Sequence, residues 1–296
     1  MNDSEQSFVS SVSLAIDLLR GLSQIDILTD WRICLEGGSV STDPSQWDLV
    51  SLNSKGQIAW KRGRQEIWLA QQLTIPADVR GYPVTSLSCR LALTWWAEVA
   101  QVFVNGELVQ EGDLFDHSPR ILLMSAVVPG SPVDVRLRLV SPGHDIGALM
   151  RSRLVYESSD PTNPEPGWLA DELAVIFKQV ASFNPAQLEE LAAIIDRIDY
   201  DLVTVDSRQF ISHVLEVKQQ LKSIISCGGD LPTPPFGHPS LEGISPSLSP
   251  AGLGGMKTIQ LLGHAHLDMA WLWEVAETWE VAERTFRSSL KLQQLF

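Results

Sequence analysis

The amino-acid sequence predicts a multidomain chain. It begins with an N-terminal antiparallel β-sandwich resembling a jelly roll, followed by a helical segment, a Pro/Gly-rich linker and the first β–α unit of an α/β domain. Three observations predict this order. Short apolar runs separated by turn clusters fill residues 31–160, apolar residues recur at helical spacing over residues 167–227, and six of the 17 prolines lie in residues 228–256.

Composition narrows the class of protein before any motif is considered. The chain has 296 residues, 44% of them hydrophobic and 20% charged, with a formal net charge of −14 and a pI of about 4.8. Nucleic acid and anionic membrane surfaces are therefore excluded as partners, because they would be repelled, whereas a neutral substrate such as a sugar is compatible. The first residues carry no basic signal region, and no apolar stretch is long enough to cross a bilayer. With three widely spaced cysteines, we expect a cytoplasmic protein.

Residues 1–30 form the predicted N-terminal helical segment, because apolar positions in residues 8–28 have partly helical spacing. The predicted sandwich, residues 31–160, then begins. Its clearest hairpin signal is Asn105-Gly106, since a two-residue type I′ turn requires positive φ angles. Its clearest strand signal is SPVDVRLRLVS, in which Val133, Val135, Leu137 and Leu139 alternate with outward Asp134, Arg136 and Arg138.

The predicted helical segment spans residues 167–227 and contains three helices. The first carries an apolar stripe from Leu169 to Val180. Asn184-Pro185 predicts the start of the second helix, which reads AQLEELAAIIDRIDYDL. Asp206 with Gln209 three residues later predicts the N-terminal cap of the third. Residues 228–256 follow as the linker.

Residues 257–296 are predicted to open with a short buried strand and to continue as a helix over residues 276–296, which would be the first step of an α/β domain. Between the two lies GHAHLD. Because side chains alternate along an extended segment, His264, His266 and Asp268 lie on one side of it. Imidazole nitrogen and carboxylate oxygen together suit zinc and similar divalent ions. Position strengthens this interpretation, because sites in α/β folds form at the carboxyl ends of strands.

The stretch GHAHLDMAWLWEVAETWEVAERTFRSSLKLQ resembles the start of the catalytic domain of the glycoside hydrolase family 38 α-mannosidases, of the cytosolic and vacuolar type. The resemblance covers about thirty residues, and the upstream order of sandwich and helices is also similar in layout. One departure is Glu274, where many relatives have proline. The family implies a barrel-like α/β catalytic domain, of which residues 257–296 would be an incomplete beginning.

The resemblance implies roles for five residues. His266 and Asp268 would be two ligands of one Zn²⁺ ion, and His264 would support a neighbour by hydrogen bonding. Trp271 and Trp273 would either border the sugar or pack beneath the site. The family reaction is retaining hydrolysis of terminal α-D-mannosyl residues from oligosaccharides, with a nucleophile and an acid/base carboxylate about 5 Å apart.

The remaining zinc ligands and the nucleophile lie downstream of this motif in the family. We therefore expect no catalytic carboxylate in this chain, an incomplete ligand set, and no activity of the chain alone. Either the chain is an N-terminal fragment of an α-mannosidase or a companion catalytic chain supplies the rest, and a homo-oligomer is a further option.

A second hypothesis belongs to another class: a carbohydrate-binding or interaction module that uses the sandwich. Trp95 and Trp96 would point to opposite faces, one into the core and the other toward a sugar or, preferably, a domain interface. Two further patterns are better explained by ordinary structural roles than by a metal site. A metal module built from His213, His238 and His266 has arbitrary spacing, and Asp113, Asp116 and His117 read as a polar turn.

Overall fold

The computed structural model describes residues 3–35, 37–160, 162–183, 185–227 and Phe286. It divides into one compact unit, Met1–Asp230, and a second, Leu231–Phe296. The predicted linker and nearly all of the predicted α/β start, including its strand and GHAHLD motif, therefore lie outside the described residues. Phe286 lies in a helix, as its segment predicts, with 60% of its surface exposed.

The strands of the first unit are mostly short, as the dense turn signals predict. In chain order they are β1 (Gln24–Asp26), β2 (Arg32–Cys34), β3 (Asp48–Leu49), β4 (Ile58–Trp60), β5 (Glu66–Thr74), β6 (Asp78–Val79), β7 (Tyr82–Pro83), β8 (Ser88–Trp96), β9 (Val99–Val104), β10 (Glu107–Gly112), β11 (Arg120–Met124), β12 (Pro132–Val140) and β13 (Gly147–Glu157). The helices are α1 (Asp3–Gly21), α2 (Pro166–Phe183), α3 (Leu188–Ile195), α4 (Leu202–Val205) and α5 (Ser207–Cys227).

Two antiparallel sheets contain most of these strands. The first sheet has the order β1-β13-β8-β11, with β4 also paired to β13. The second has the order β10-β9-β12-β5-β2-β3, and β6 and β7 form a separate pair. The predicted antiparallel architecture is confirmed. One hydrophobic core contains Leu91 and Leu154 from the first sheet, Leu69 and Leu137 from the second, and Leu173 from α2.

The chain passes from the first sheet to the second through a buried crossing at Trp31. Its side chain is completely buried, and its indole Nε1 donates a hydrogen bond of 3.0 Å to the hydroxyl of Ser152 in β13. The Ser152 carbonyl also accepts from the backbone N–H of Ile27, at 3.0 Å. The Trp31 backbone carbonyl accepts a further hydrogen bond from the backbone N–H of Val50. Ser152, itself fully buried, thus fixes the crossing through both its side chain and its backbone.

The β9–β10 hairpin forms as its sequence predicts. Asn105 and Gly106 have φ angles of 52° and 88°, which are the positive values that a type I′ turn needs. The Asn105 side chain also accepts a 3.0 Å hydrogen bond from Asp134 N–H in β12. The pairing shifts between Leu108 and Gln110, so Val109 forms a bulge in β10, the edge strand of the second sheet.

The alternation predicted for β12 is correct for its apolar face but wrong for Arg136. Val133, Val135, Leu137 and Leu139 are buried in the core. Arg136 was expected to face solvent, yet only 8% of its surface is exposed. The loop before β3 lies over this outward face, where Arg136 pairs with Asp134 at 2.9 Å and donates to the carbonyls of Ser39 and Thr42. The guanidinium is buried because these acceptors replace water.

The helical predictions are correct in position and need two corrections in length. The N-terminal helix ends at Gly21, and Gln24–Asp26 is strand β1, because these residues pair with Arg153–Val155 at the edge of the first sheet. The second predicted helix ends at Ile195 rather than continuing to Leu202, and Leu202 begins the short helix α4. The cap of α5 is confirmed: Asp206 Oδ1 accepts from the backbone N–H groups of Arg208 and Gln209, both at 3.0 Å.

Helix α1 packs between α2 and α3 through polar contacts at the rim of the shared core. Arg20 contacts Asp171 of α2 at 2.8 Å, and Ser11 donates to Asp196, which follows α3, at 2.9 Å. The Tyr200 hydroxyl donates to the Ala15 carbonyl at 3.1 Å. The buried face of α1, which includes Leu19, belongs to the same core as the sheets.

Replacing Trp31 with phenylalanine tests the crossing between the sheets. The variant keeps an aromatic ring but leaves the buried Ser152 hydroxyl without its indole donor, so we expect the free energy of unfolding to fall by about 1–3 kcal/mol. Urea unfolding followed by circular dichroism measures the change. Trp168→Phe is the matched control. Because 58% of Trp168 is exposed, replacing its indole should lower the free energy of unfolding only slightly. Equal stability of the two variants would contradict the role given to Ser152.

Candidate functional site

The residues predicted to bind zinc and border a sugar lie outside the described part of the chain. This holds for His264, His266, Asp268, Trp271 and Trp273. The structure therefore neither brings them together nor separates them, and their roles remain predictions. Within the described residues, no group of three or more His, Cys, Asp or Glu side chains is arranged to hold a metal ion.

The Trp95-Trp96 pair alternates as its strand position predicts. Trp95 is completely buried, and its indole Nε1 donates to the Asp113 carbonyl at 3.1 Å. Gly112 packs so closely against the Trp95 ring that an added Cβ would lie 2.5 Å from Cζ2. Trp96 is half-buried on the opposite face of β8. Trp95 is thus a core residue, and its exclusion from solvent removes it as a surface for stacking on sugars.

The loop containing Asp113, Asp116 and His117 is a polar turn. Asp113 Oδ1 accepts hydrogen bonds from the backbone N–H groups of Phe115, at 2.7 Å, and Asp116, at 3.0 Å. The His117 ring contacts the Phe115 carbonyl through Nδ1 at 3.2 Å. The Asp113 carboxylate accepts hydrogen bonds from the backbone of its own loop, which is a frequent role for aspartate in turns. The interpretation favoured from the sequence is supported by these contacts.

His213 also has a local structural partner rather than a metal. Its Nε2 lies 2.8 Å from the carbonyl of Arg197, in the segment that follows α3. The contact joins α5 to that segment. His238, the second member of the weak three-histidine hypothesis, lies outside the described residues.

The thiol of Cys89 is poorly suited to nucleophilic chemistry. Cys89 is fully buried and free, and it pairs in register with Tyr156 of β13. Burial raises the pKa of the Cys89 thiol to about 11, although a hydrogen bond with the Tyr156 side chain opposes this. The thiol is therefore protonated at neutral pH, and a protonated thiol is a poor nucleophile.

Among the described residues, Glu165 is a buried carboxyl group with a raised pKa. Burial raises the pKa of Glu165 above its usual range, and the nearby Glu157 charge raises it further. Hydrogen bonds from backbone N–H groups, including that of Ser158 at 2.9 Å, act in the opposite direction. The backbone N–H of Trp168, in the first turn of α2, is one of these donors. The Glu165 carboxylate thus joins the two ends of the loop before α2 by hydrogen bonds. This structural role accounts for the burial of Glu165 without a catalytic role.

None of the helices in the part of the chain that the structure describes combines the length and apolar composition needed to span a bilayer.

Residues 256–296 match the model of a family described as glycosyl hydrolases family 38, N-terminal domain. The resemblance drawn from the motif is therefore confirmed over this segment, which carries the signature of a glycoside hydrolase family. No curated protein sequence matches the chain.

Solved structures similar to the chain cover only part of it. A Bacteroides uniformis β-glucuronidase is 17% identical over 45% of this chain and 18% of its own, with a TM-score of 0.34. A glycosyl hydrolase family 2 member from Bacteroides cellulosilyticus is 15% identical over 46% of this chain and 21% of its own, with a TM-score of 0.36. The chain thus matches about a fifth of each structure's length. Structural similarity of this extent assigns neither a fold family nor an activity to this chain.

The raised pKa of Glu165 predicts a pH dependence of stability with a definite sign. Because the folded state holds the proton more tightly than the unfolded chain, ionisation destabilises the fold. Wild type should therefore lose stability relative to Glu165→Gln as pH rises through the unfolded pKa of 4.5 toward the folded pKa. Urea unfolding at a series of pH values from about 2 to about 8 measures this difference and covers the titration of the control described next.

Asp160→Asn is the control with the opposite sign. Hydrogen bonds from Thr162 lower the pKa of Asp160 below its ordinary value of 3.8. Its contribution to stability is present above that value and is lost as pH falls through the folded pKa. If the Glu165→Gln difference does not change with pH, or changes in the Asp160→Asn direction, the burial argument for Glu165 is wrong.

Proposed function

We propose that residues 256–296 open the catalytic domain of a retaining, zinc-dependent α-mannosidase that removes terminal α-D-mannosyl residues from oligosaccharides. The family 38 match over these residues carries the proposal. The match contains the GHAHLD motif and the aromatic residues that follow it. The first unit then precedes the catalytic domain as a non-catalytic part of the enzyme.

His266 and Asp268 would hold the zinc ion. The two residues are separated by one position, which places their side chains on the same side of an extended segment. Their imidazole nitrogen and carboxylate oxygen are both ordinary zinc ligands, so the donor chemistry fits. Zinc supplies Lewis-acid polarisation of the sugar hydroxyls that it contacts. Zinc sites use three or four protein ligands, so the proposal requires further ligands from outside this motif.

The neighbouring residues would position these ligands and the sugar. In an extended segment His264 would lie on the same side and would donate a hydrogen bond to a ligand, which would fix the orientation of that ligand. Trp271 and Trp273 offer flat apolar faces, and the C–H faces of a mannose ring pack well on such surfaces. The alternative place for these two indoles is beneath the site, where they would exclude water from the metal ligands.

Removing either proposed ligand tests the assignment. We expect His266→Ala or Asp268→Ala to lower both bound zinc and the kcat/KM for 4-nitrophenyl α-D-mannopyranoside, the latter by about 100-fold or more, because a direct ligand is lost. Zinc content and hydrolysis are measured on the protein as its gene encodes it, together with any sequence that follows Phe296. His144→Ala is the matched control, since His144 is exposed in the first unit.

Two outcomes would overturn the proposal. Retention of zinc and activity by both ligand variants would refute the ligand assignment. Turnover of a β-D-glucuronide with no turnover of an α-mannoside would refute the substrate class. A third measurement concerns residues 1–296 expressed alone, which should bind zinc weakly and hydrolyse no α-mannoside, because two ligands make an incomplete zinc site.

A further inference from the structure

A surface groove with a volume of about 600 Å³ lies in the first unit. Ile25 and Leu154, which pair in register at the edge of the first sheet, line one side. Residues 70–74 of β5, in the second sheet, line another. The groove therefore lies where the edges of the two sheets meet.

The groove exists because β2 is shorter than the strand it pairs with. Strand β2 pairs with residues 68–70 of β5, whereas β12 pairs with the whole of β5 on its other side. Beyond Ala70, the β2 side of β5 has no strand paired with it among the described residues. In an antiparallel strand, alternate residues direct their backbone N–H and C=O to opposite sides. Part of the Gln71–Thr74 backbone thus offers hydrogen bonds toward the groove.

Gln71 places an unsatisfied polar group at this groove. Only 7% of its surface is exposed, and its side-chain Oε1 is buried with no hydrogen-bond partner among the described residues. Leaving a buried amide oxygen unpaired costs free energy, and such groups in native proteins call for an explanation. A ligand hydroxyl that donates to Oε1, once the side chain rotates toward the groove, would supply one.

The other groups around the groove point to a neutral ligand with hydroxyl groups. Arg32 donates through Nη1 to the Trp47 carbonyl at 2.8 Å and borders the groove together with Asp30 and Asp43. Charges of both signs and an uncharged amide disfavour a strongly ionic ligand, as does the net charge of −14. Apolar surface from the half-buried Ile25 lies beside these polar groups.

We infer that this groove binds a neutral saccharide of one or two rings, whose hydroxyls hydrogen-bond to the Gln71 amide and the neighbouring polar groups while a ring face packs on Ile25. A sugar combines donors, acceptors and an apolar ring face, as the groove does. Its volume also lies within the range of small-molecule sites. The inference does not rest on the proposed catalytic activity, since every residue that carries it lies in the first unit.

A peptide adding a strand to β5 is the less favoured occupant. It would have only residues 71–74 to pair with, and four residues give a short ladder compared with the nine-residue pairing of β5 and β12. Such a peptide would also depend on backbone hydrogen bonds, so a change at the Gln71 side chain would affect it little. The Gln71 variant therefore separates the two occupants.

The test uses residues 1–296 with four probes: methyl α-D-mannopyranoside, α-1,2-mannobiose, maltose and cellobiose. Saturation-transfer NMR detects binding, and calorimetric titration gives Kd. We expect at least one probe to bind, and Gln71→Met to raise its Kd by about tenfold or more, because the variant removes the amide and keeps the side-chain length. The same variant should unfold at an equal or higher temperature, since the unpaired buried oxygen is gone.

Gln110→Met is the matched control, because Gln110 lies in β10, at the far edge of the second sheet; it should bind like wild type. Thr74→Trp fills the groove from an exposed position and should abolish binding even if Gln71→Met fails to fold. Asp268→Ala should leave groove binding unchanged, which separates this site from the proposed zinc site. The inference is overturned if no probe binds at millimolar concentration, or if binding survives in both groove variants.

Discussion

The first unit depends on one buried crossing, where the chain leaves the first sheet and enters the second. Ser152 uses its carbonyl for Ile27 and its hydroxyl for Trp31, and the Trp31 carbonyl in turn holds Val50. Because these groups are shut off from water, each must find a partner within the protein. The relative position of the two sheets is thereby set at their edge by directional bonds, while the core between them contributes non-directional apolar burial.

Local sequence predicts the parts of this fold that local forces decide. Asn105-Gly106 specifies its turn because few other residues adopt two successive positive φ angles, and Asp206 specifies a helix start because its side chain reaches two backbone donors of the next turn. The burial of Arg136, in contrast, is not decided by local sequence. Its burial depends on a loop almost a hundred residues earlier in the chain, and the pattern VDVRLRLV contains no information about that loop. The early end of α3 at Ile195 is likewise not marked by a glycine or proline in the sequence.

The two candidate sites also differ in whether local sequence is enough to predict them. The GHAHLD motif is recognisable because its residues are contiguous and their chemistry is specific, so the family match was predictable from about thirty residues. The groove at Gln71 was not predictable. In IWLAQQLTI, Gln71 reads as one polar residue of a strand, and its significance arises only because β2 begins opposite Ala70 and because Ile25 and Leu154 lie nearby. A signal was present in two adjacent glutamines within a largely apolar strand, but the sequence offers no means to tell which is buried.

The bulge at Val109 has a consequence for how copies of this protein behave toward one another. Strand β10 ends the second sheet and exposes Leu108 and Val109, each close to half, so a regular β10 would be a template for strand pairing between molecules. The bulge interrupts that template, and Glu107 and Glu111 add like charges along it. Near the pI of about 4.8, net repulsion between molecules vanishes, and the bulge and the local charges of the edge strand then oppose edge-to-edge aggregation. Colloidal stability in mildly acidic solution would then depend on the local features of this one edge strand.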